Sequence, residues 1–228
     1  MEYRQVQKIA KDTMEYACQI IRPGMNLMEL RELCDAKMLE LGADSFWYWD
    51  IGTFVFSGDE TALSVSGKMY KTSDRILAPD DISTIDLSPQ IGDIWGDYAR
   101  TIILQDGAVV SYEKIQNPEW KLGLLAEEYL HTTLINYARP EMTFDELYHH
   151  INALITAKGF VNLDFAGNLG HSIERKKEDR IYIEKGNNHR LGDVKYFTFE
   201  PHIGINSSKY GFKKENIYFF DNWLLQKL

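Results

Sequence analysis

Apolar residues recur at three- and four-residue intervals in four stretches: YRQVQKIAKDTMEYACQII from Tyr3, LMELRELCDAKMLELGA from Leu27, EWKLGLLAEEYLHTTLINYA from Glu119 and FDELYHHINALITAKGF from Phe144. That period predicts four amphipathic helices, arriving as two pairs. After each pair the pattern turns to short β-branched and aromatic runs. These are FWYWDIGTFVF, DISTIDLSP and GDYARTIIL after the first pair, and VKYFTFEPHI and YGFKKENIYFF after the second. They read as strands.

The two pairs echo one another. Arg22-Pro23, Met25 and Glu29-Leu30 recur as Arg139-Pro140, Met142 and Glu146-Leu147, a constant shift of 117 positions. In each copy Asn26 or Thr143 stands three residues before Glu29 or Glu146, which is the spacing of a reciprocal capping box at a helix start. The expectation is an α+β protein of two pseudo-symmetric helix-helix-sheet halves, about 1–110 and 111–228, within a single domain over 1–228. Merged, the halves would give one curved antiparallel surface backed by four helices, with side chains from both halves converging on its concave face.

Composition narrows the field. With 44% hydrophobic and 13% aromatic residues in 228, there is ample material for a core. A net charge of -9 and the absence of any Lys/Arg block argue against nucleic acid as a partner. No apolar run approaches the roughly 20 residues of a membrane span, and the charged start does not read as a signal peptide. The expectation is a cytoplasmic protein without a membrane partner. Cys18 and Cys34, the two thiols, suit reduced core positions better than a disulfide framework or a zinc site.

The chemistry gathers on the strands. DISTIDLSP and GDYARTIIL flank a Pro- and Gly-containing connection, so they predict a hairpin with Asp86 near the end of one strand and Asp97 near the start of the next. Asp93 is left in the turn. Two carboxylates held that close repel unless protonated or bound to cations. The second half offers partners: Glu200 interrupts the apolar run YFTFEPHI, Glu215 precedes the strand end NIYFF, and His171 follows the small-residue approach GNLG. Four carboxylates and one imidazole would balance two divalent cations, and such ligands suit Mn, Co, Fe or Zn.

In order and surroundings these residues resemble the pita-bread metallohydrolases: methionine aminopeptidase, Xaa-Pro aminopeptidase and dipeptidase (prolidase), and creatinase. That family shows an Asp, a second Asp eleven residues on with an x-Thr-Arg-Thr tail, a Gly-His in a small-residue loop, a Glu-Pro and a last Glu before a terminal strand. Here Asp86 and Asp97 have the spacing, DYART stands for the tail with Ala99 in place of the usual Thr, and LGHSI, FTFEPHI and GFKKENIYFF carry His171, Glu200 and Glu215. The resemblance extends over IIRPGMNLMEL, FVFSGDETAL and DRILAPDDISTIDLS, with the stretch before Asp86 closer to the Xaa-Pro branch. It implies the pita-bread fold, a catalytic domain alone, and two metal ions. Asp86 would hold one, His171 and Glu200 the other, with Asp97 and Glu215 bridging, and a metal-bridged hydroxide would attack an amide carbonyl. The implied substrate is a short peptide or small molecule; a homodimer would be one way to complete its pocket.

The chain departs from the family at two histidines that contact substrate in the peptidases. It has no histidine before His131, and Glu178 stands seven residues after His171 where the other is expected. Loss of an intermediate-stabilising donor typically costs about 10² to 10³ in rate. Lys68, Lys71 or Glu178 could take over proton transfer beside Glu200, and Lys68, Tyr70, Arg175 and His202 are the candidate substrate contacts. Arg175 and Lys177, in the charged run ERKKEDR, could hold an anionic group. The leading expectation is therefore a dinuclear metallohydrolase of the Xaa-Pro type, with manganese among the candidate metals. The alternative is a metal-dependent non-peptidase of the same fold, a C–N bond hydrolase or a lyase on a small acid. A third reading, a non-catalytic binding module, runs against the retention of all five ligand positions.

Overall fold

The computed structural model describes residues 2–228. The first half opens with α1 (Glu2–Ile20) and α2 (Leu27–Glu40), followed by β1 (Ser45–Phe46), β2 (Thr53–Ser57), β3 (Asp81–Leu87), β4 (Pro89–Ile91), β5 (Ile94–Trp95), β6 (Tyr98–Gln105) and β7 (Ala108–Val109). The second opens with α3 (Pro118–Tyr137) and α4 (Phe144–Ala157), followed by β8 (Phe160–Asn162), β9 (Phe197–Phe199), β10 (His202–Ile205), β11 (Gly211–Lys213), β12 (Asn216–Asp221) and β13 (Leu224–Lys227). Both helix pairs fall where the apolar period places them.

The two caps differ in detail. Thr143 forms the full reciprocal box with Glu146 at the start of α4. Asn26 caps α2 by accepting from the Met28 amide, whereas Glu29 pairs with Arg22 instead of reaching back. The expected second box is thus half formed. The run FWYWDIGTFVF also splits, since only 45–46 and 53–57 are extended and Trp49 and Asp50 have left-handed backbone angles.

The strands form four antiparallel groups, ordered β2-β3-β6-β7, β1-β4-β5, β8-β10-β11 and β9-β12-β13. A single bridge between Arg100 and Lys214 links β6 to the β11–β12 connection, and this is the seam between the halves. Alternation along β3 and β6 then sorts their side chains. Ile85, Leu87, Ile102 and Leu104 pack under α1 and α2 with Leu30, Cys34 and Met38. Ile82 and Ile103, paired in register, point the other way into the core beneath α3 and α4. Thr84 and Asp86 share that second face, and there they line a cavity. Among the described residues no helix is long and apolar enough to cross a membrane. Cys18 and Cys34 are unpaired.

Candidate metal centre

The hairpin carrying the aspartates is real but more elaborate than the sequence suggests. β3 and β6 pair antiparallel with Asp86 opposite Ala99, and the connection between them folds into its own small ladder, β4 with β5. Asp93 lies in the turn of that ladder beside Gly92, whose φ is +58°. Asp97 sits one residue before β6, two before Ala99, so it lies diagonally across from Asp86 on the same face. The Gln7 side chain of α1 fixes it there, donating to the Asp97 carbonyl at 2.7 Å and accepting from its amide at 3.0 Å.

Glu215 reaches this pair from the other half. Its amide donates to the Ala99 carbonyl at 3.0 Å, so the seam between the halves sets its position. One carboxylate oxygen from each of Asp86, Asp97 and Glu215 lies within 4.8 Å of the others. Glu215 is fully buried and neither of its carboxylate oxygens has a hydrogen-bond partner. Burial, then the Asp97 and Glu200 charges, pushes its pKa well above the usual carboxylate range. Burial, followed by Asp86 and Glu200, does the same to Asp97. Glu215, buried and without a hydrogen-bond partner beside the repelling Asp97 carboxylate, belongs to a donor set that a cation would complete.

His171 supplies the nitrogen. Gly170, at φ +138°, passes so close to Thr198 that a Cβ there would lie 2.4 Å from its carbonyl oxygen, and only glycine fits both constraints. The His171 amide then donates to Thr198 Oγ1 at 3.0 Å. Nδ1 lies 3.0 Å from the Ser172 carbonyl, an acceptor, which puts the proton on Nδ1 and leaves the Nε2 lone pair free. Nε2 faces Glu200 Oε1 at 3.5 Å and Asp97 Oδ2 at 3.7 Å. Burial lowers the imidazole pKa to about 4, so the ring is neutral at physiological pH. Neutral imidazole is the form that ligates metal.

Lys213, on β11, is the group the sequence reading missed. Its Nζ donates to Asp86 Oδ2 at 2.6 Å, lies 2.9 Å from Glu200 Oε2 and is 3.8 Å from Glu215 Oε2. Burial works to lower its pKa, but Asp86, Glu200 and Glu215 outweigh that and hold it well above the lysine norm. Burial likewise opposes ionisation of Glu200, yet Lys213 and His171 carry its pKa below the usual value. A signal was present: Lys213 and Glu215 are two residues apart in an extended run, which places them on one face.

Asp86, Asp97, His171, Glu200 and Lys213 line a cavity of about 320 Å³ together with Trp47, Tyr48, Phe54, Phe56, Arg180 and His202, and Glu215 lies buried behind them. His202 Nε2 is 2.7 Å from the Thr61 carbonyl and so carries the proton. Burial lowers its pKa to about 4. The other candidates named from the sequence do not meet at this cavity. Tyr70 is buried, with its hydroxyl on the backbone of Val55. Lys68 and Lys71 are exposed outside it. Arg175 pairs with Asp93 on the surface, and Glu178 is exposed in the turn 177–179. After the buried Ser172 and Ile173 the loop turns outward over 174–179, and Arg180 returns to the cavity.

The carboxylates of this buried cluster, beside an imidazole, form a donor set that could hold a metal ion. The description Metallopeptidase family M24 matches residues 1–222, and the chain belongs to that family. It is 28% identical over 203 residues to a methionine aminopeptidase of Pyrococcus abyssi, a match covering 85% of this chain and 60% of that protein. Among solved structures, X-Pro aminopeptidase from Thermotoga maritima is similar over 98% of this chain and 58% of its own, with a TM-score of 0.79 and 21% identity. Prolidase from Pyrococcus furiosus is similar over 98% of this chain and 61% of its own, with a TM-score of 0.76 and 22% identity. These structural likenesses establish the pita-bread fold. The chain spans about 60% of the length of these relatives.

Proposed function

We propose that the protein is a metal-dependent hydrolase of peptide-like amides, holding two divalent ions on Asp86, Asp97, His171, Glu200 and Glu215. The observation that carries this reading is the buried convergence of Asp86, Asp97 and Glu215 beside the free Nε2 of His171. The donor set is hard oxygen with one imidazole, which fits Mn, Co, Fe or Zn. Bound there, such ions would supply Lewis acidity toward a carbonyl and acidify a water near neutral pH. The protein's own groups do the rest. Glu200, kept ionised by Lys213 and braced by the Thr198 hydroxyl at 3.3 Å, accepts a proton. The aromatic wall excludes solvent from the reacting bond, and His202 offers an imidazole to substrate. Neither Lys71 nor Glu178 reaches the cavity, so we assign them no part in proton transfer. The unpaired thiols suit a reducing cytoplasmic setting.

The test is elemental analysis of protein purified without chelator, paired with hydrolysis of Xaa-Pro dipeptides in the presence of Mn or Co. Bound metal and metal-dependent cleavage, both lost in Glu215→Gln, are expected. Protein that neither binds nor responds to any of the four metals would refute the assignment. One observation favours a second reading: His171 and His202 are the two histidines lining the cavity among the described residues, and neither stands where the peptidases place their substrate-contacting pair. Cleavage of small amides but not of peptides would select the non-peptidase alternative.

A further inference from the structure

A second cavity, of about 400 Å³, lies between α3 and the strands β6 and β11. Of the residues lining the two cavities only Lys213 is common to both, so this one is separate from the metal centre. Its lining includes a buried acid. Glu127, on the inward face of α3, is 3% exposed, and neither of its carboxyl oxygens has a hydrogen-bond partner among the described residues. The groups around it are engaged elsewhere. His131, one turn on, has Nε2 4.0 Å from Glu127 Oε2, but burial keeps the ring neutral. Its Nε2 donates to the Lys214 carbonyl at 2.9 Å and its Nδ1 accepts from the Tyr218 hydroxyl at 2.7 Å. Lys214 pairs with Glu128, and Lys213 with Asp86 and Glu200. Arg100 donates to the Ala99 and Glu215 carbonyls, each at 2.6 Å, and to Asn216 Oδ1 at 2.7 Å. A carboxyl buried without a partner is costly and rare in folded proteins. One that faces a cavity points to a partner that enters from outside.

The surroundings select that partner's chemistry. Burial pushes the Glu127 pKa well above the carboxylate range, against the pull of Lys214, Lys213 and Arg100. The protonated carboxyl offers one O–H donor and one carbonyl acceptor side by side. A cationic ligand would have to expel that proton and sit beside three cations. An anionic one would give up its hydration where the nearby ammonium and guanidinium groups are already paired. The complement is a neutral edge with an acceptor next to a donor. Leu124, Leu125 and Tyr112 supply apolar lining for the body behind that edge, and the half-exposed Leu125 marks the mouth. We propose that this cavity is a second ligand site, taking a small apolar molecule whose carboxamide or lactam edge hydrogen-bonds to Glu127. A trans peptide bond turns its C=O and N–H to opposite sides, so the class is primary amides and lactams rather than the peptide bond itself.

The probes are benzamide, benzamidinium and benzoate, which share a shape and differ in the charge and donors of one edge. Each is titrated by calorimetry into metal-loaded protein, in the wild type, Glu127→Gln, Glu127→Met and Leu125→Trp. Leu125→Trp closes the mouth from a half-exposed position, so binding that it abolishes belongs to this cavity and not to the metal centre. There benzamide should bind at least about 10-fold more tightly than benzamidinium or benzoate, the scale of a pair of hydrogen bonds made without burying a charge. Glu127→Gln keeps a donor beside an acceptor and should retain benzamide, whereas Glu127→Met should weaken it by about 10-fold or more. Crystals soaked in benzamide should show the amide edge against Glu127. No benzamide binding, or binding that survives Leu125→Trp or Glu127→Met unchanged, overturns the proposal. So does tighter binding of benzamidinium or benzoate at the same cavity. None of these outcomes depends on catalysis, so the site stands or falls apart from the hydrolase reading. Unchanged circular dichroism and metal content establish that the variants are folded.

Discussion

At the residue scale, Lys213 does the balancing. Without bound cations, Asp86, Asp97, Glu200 and Glu215 would be four carboxylates in a largely buried site, and a single ammonium within 4 Å of three of them offsets part of their repulsion. Lys213→Met keeps the length of the side chain and removes the charge. In chelator, this variant should lose about 3 to 5 kcal/mol, the usual cost of breaking a buried ion pair from one side, with the melting temperature falling by several degrees per kcal/mol at most. Added Mn should restore much of the loss, because the ions occupy the same electrostatic role. Differential scanning calorimetry with and without Mn checks it, and an equal drop under both conditions would show that Lys213 acts through packing alone.

At the scale of elements, the chain was most legible where order is local. All four helices follow from apolar spacing, and Thr143 with Glu146 forms the box that three-residue spacing predicts. Asn26 and Glu29 have the same spacing, but Glu29 is drawn to Arg22, so the second box is incomplete. The difference predicts unequal costs. Thr143→Ala should destabilise by about 1 kcal/mol, whereas Glu29→Ala, which removes only an exposed ion pair, should stay within about 0.5 kcal/mol. Urea unfolding of the metal-free protein measures both, and comparable losses would mean that Glu29 also serves the helix start. The gathering of Asp86, Asp97, His171, Glu200 and Glu215 was legible for a different reason: these five residues keep their order and surroundings along the chain. What stayed hidden depends on contacts between distant segments. Arg180 ends the charged run ERKKEDR, which has the composition of a solvated loop, and nothing local reveals that Trp47 and Tyr48, from 130 residues away, frame it. Lys68, Tyr70 and Lys71 fill a family position in sequence, but their segment turns away from the cavity, with Tyr70 anchored to β2.

For the whole molecule, the buried titrating groups make stability depend jointly on pH and metal. His171 and His202 have pKa values lowered to about 4, against about 6.5 unfolded. Between those values the unfolded chain binds more protons, so stability rises with pH there and is lost as pH falls from about 6.5 toward 4, by at most about 3 kcal/mol for each ring. Asp97 and Glu215 act in the opposite sense. Their pKa values are raised, so the folded metal-free protein binds the extra protons, and their contribution falls as pH climbs above the unfolded carboxylate range near 4. A divalent ion requires them ionised and compensates their charge, so it competes with protons and binds more tightly as pH rises. The expected result is a melting-temperature increment on adding Mn that is small near pH 5 and grows toward pH 8, scaling with metal concentration as ligand linkage requires. Asp97→Asn should flatten that pH dependence while raising the stability of the chelated protein at pH 8, since it removes one uncompensated buried charge. An increment independent of pH would place the bound ions away from Asp97 and Glu215, and the assignment of the seam between the two halves as the metal centre would fall with it.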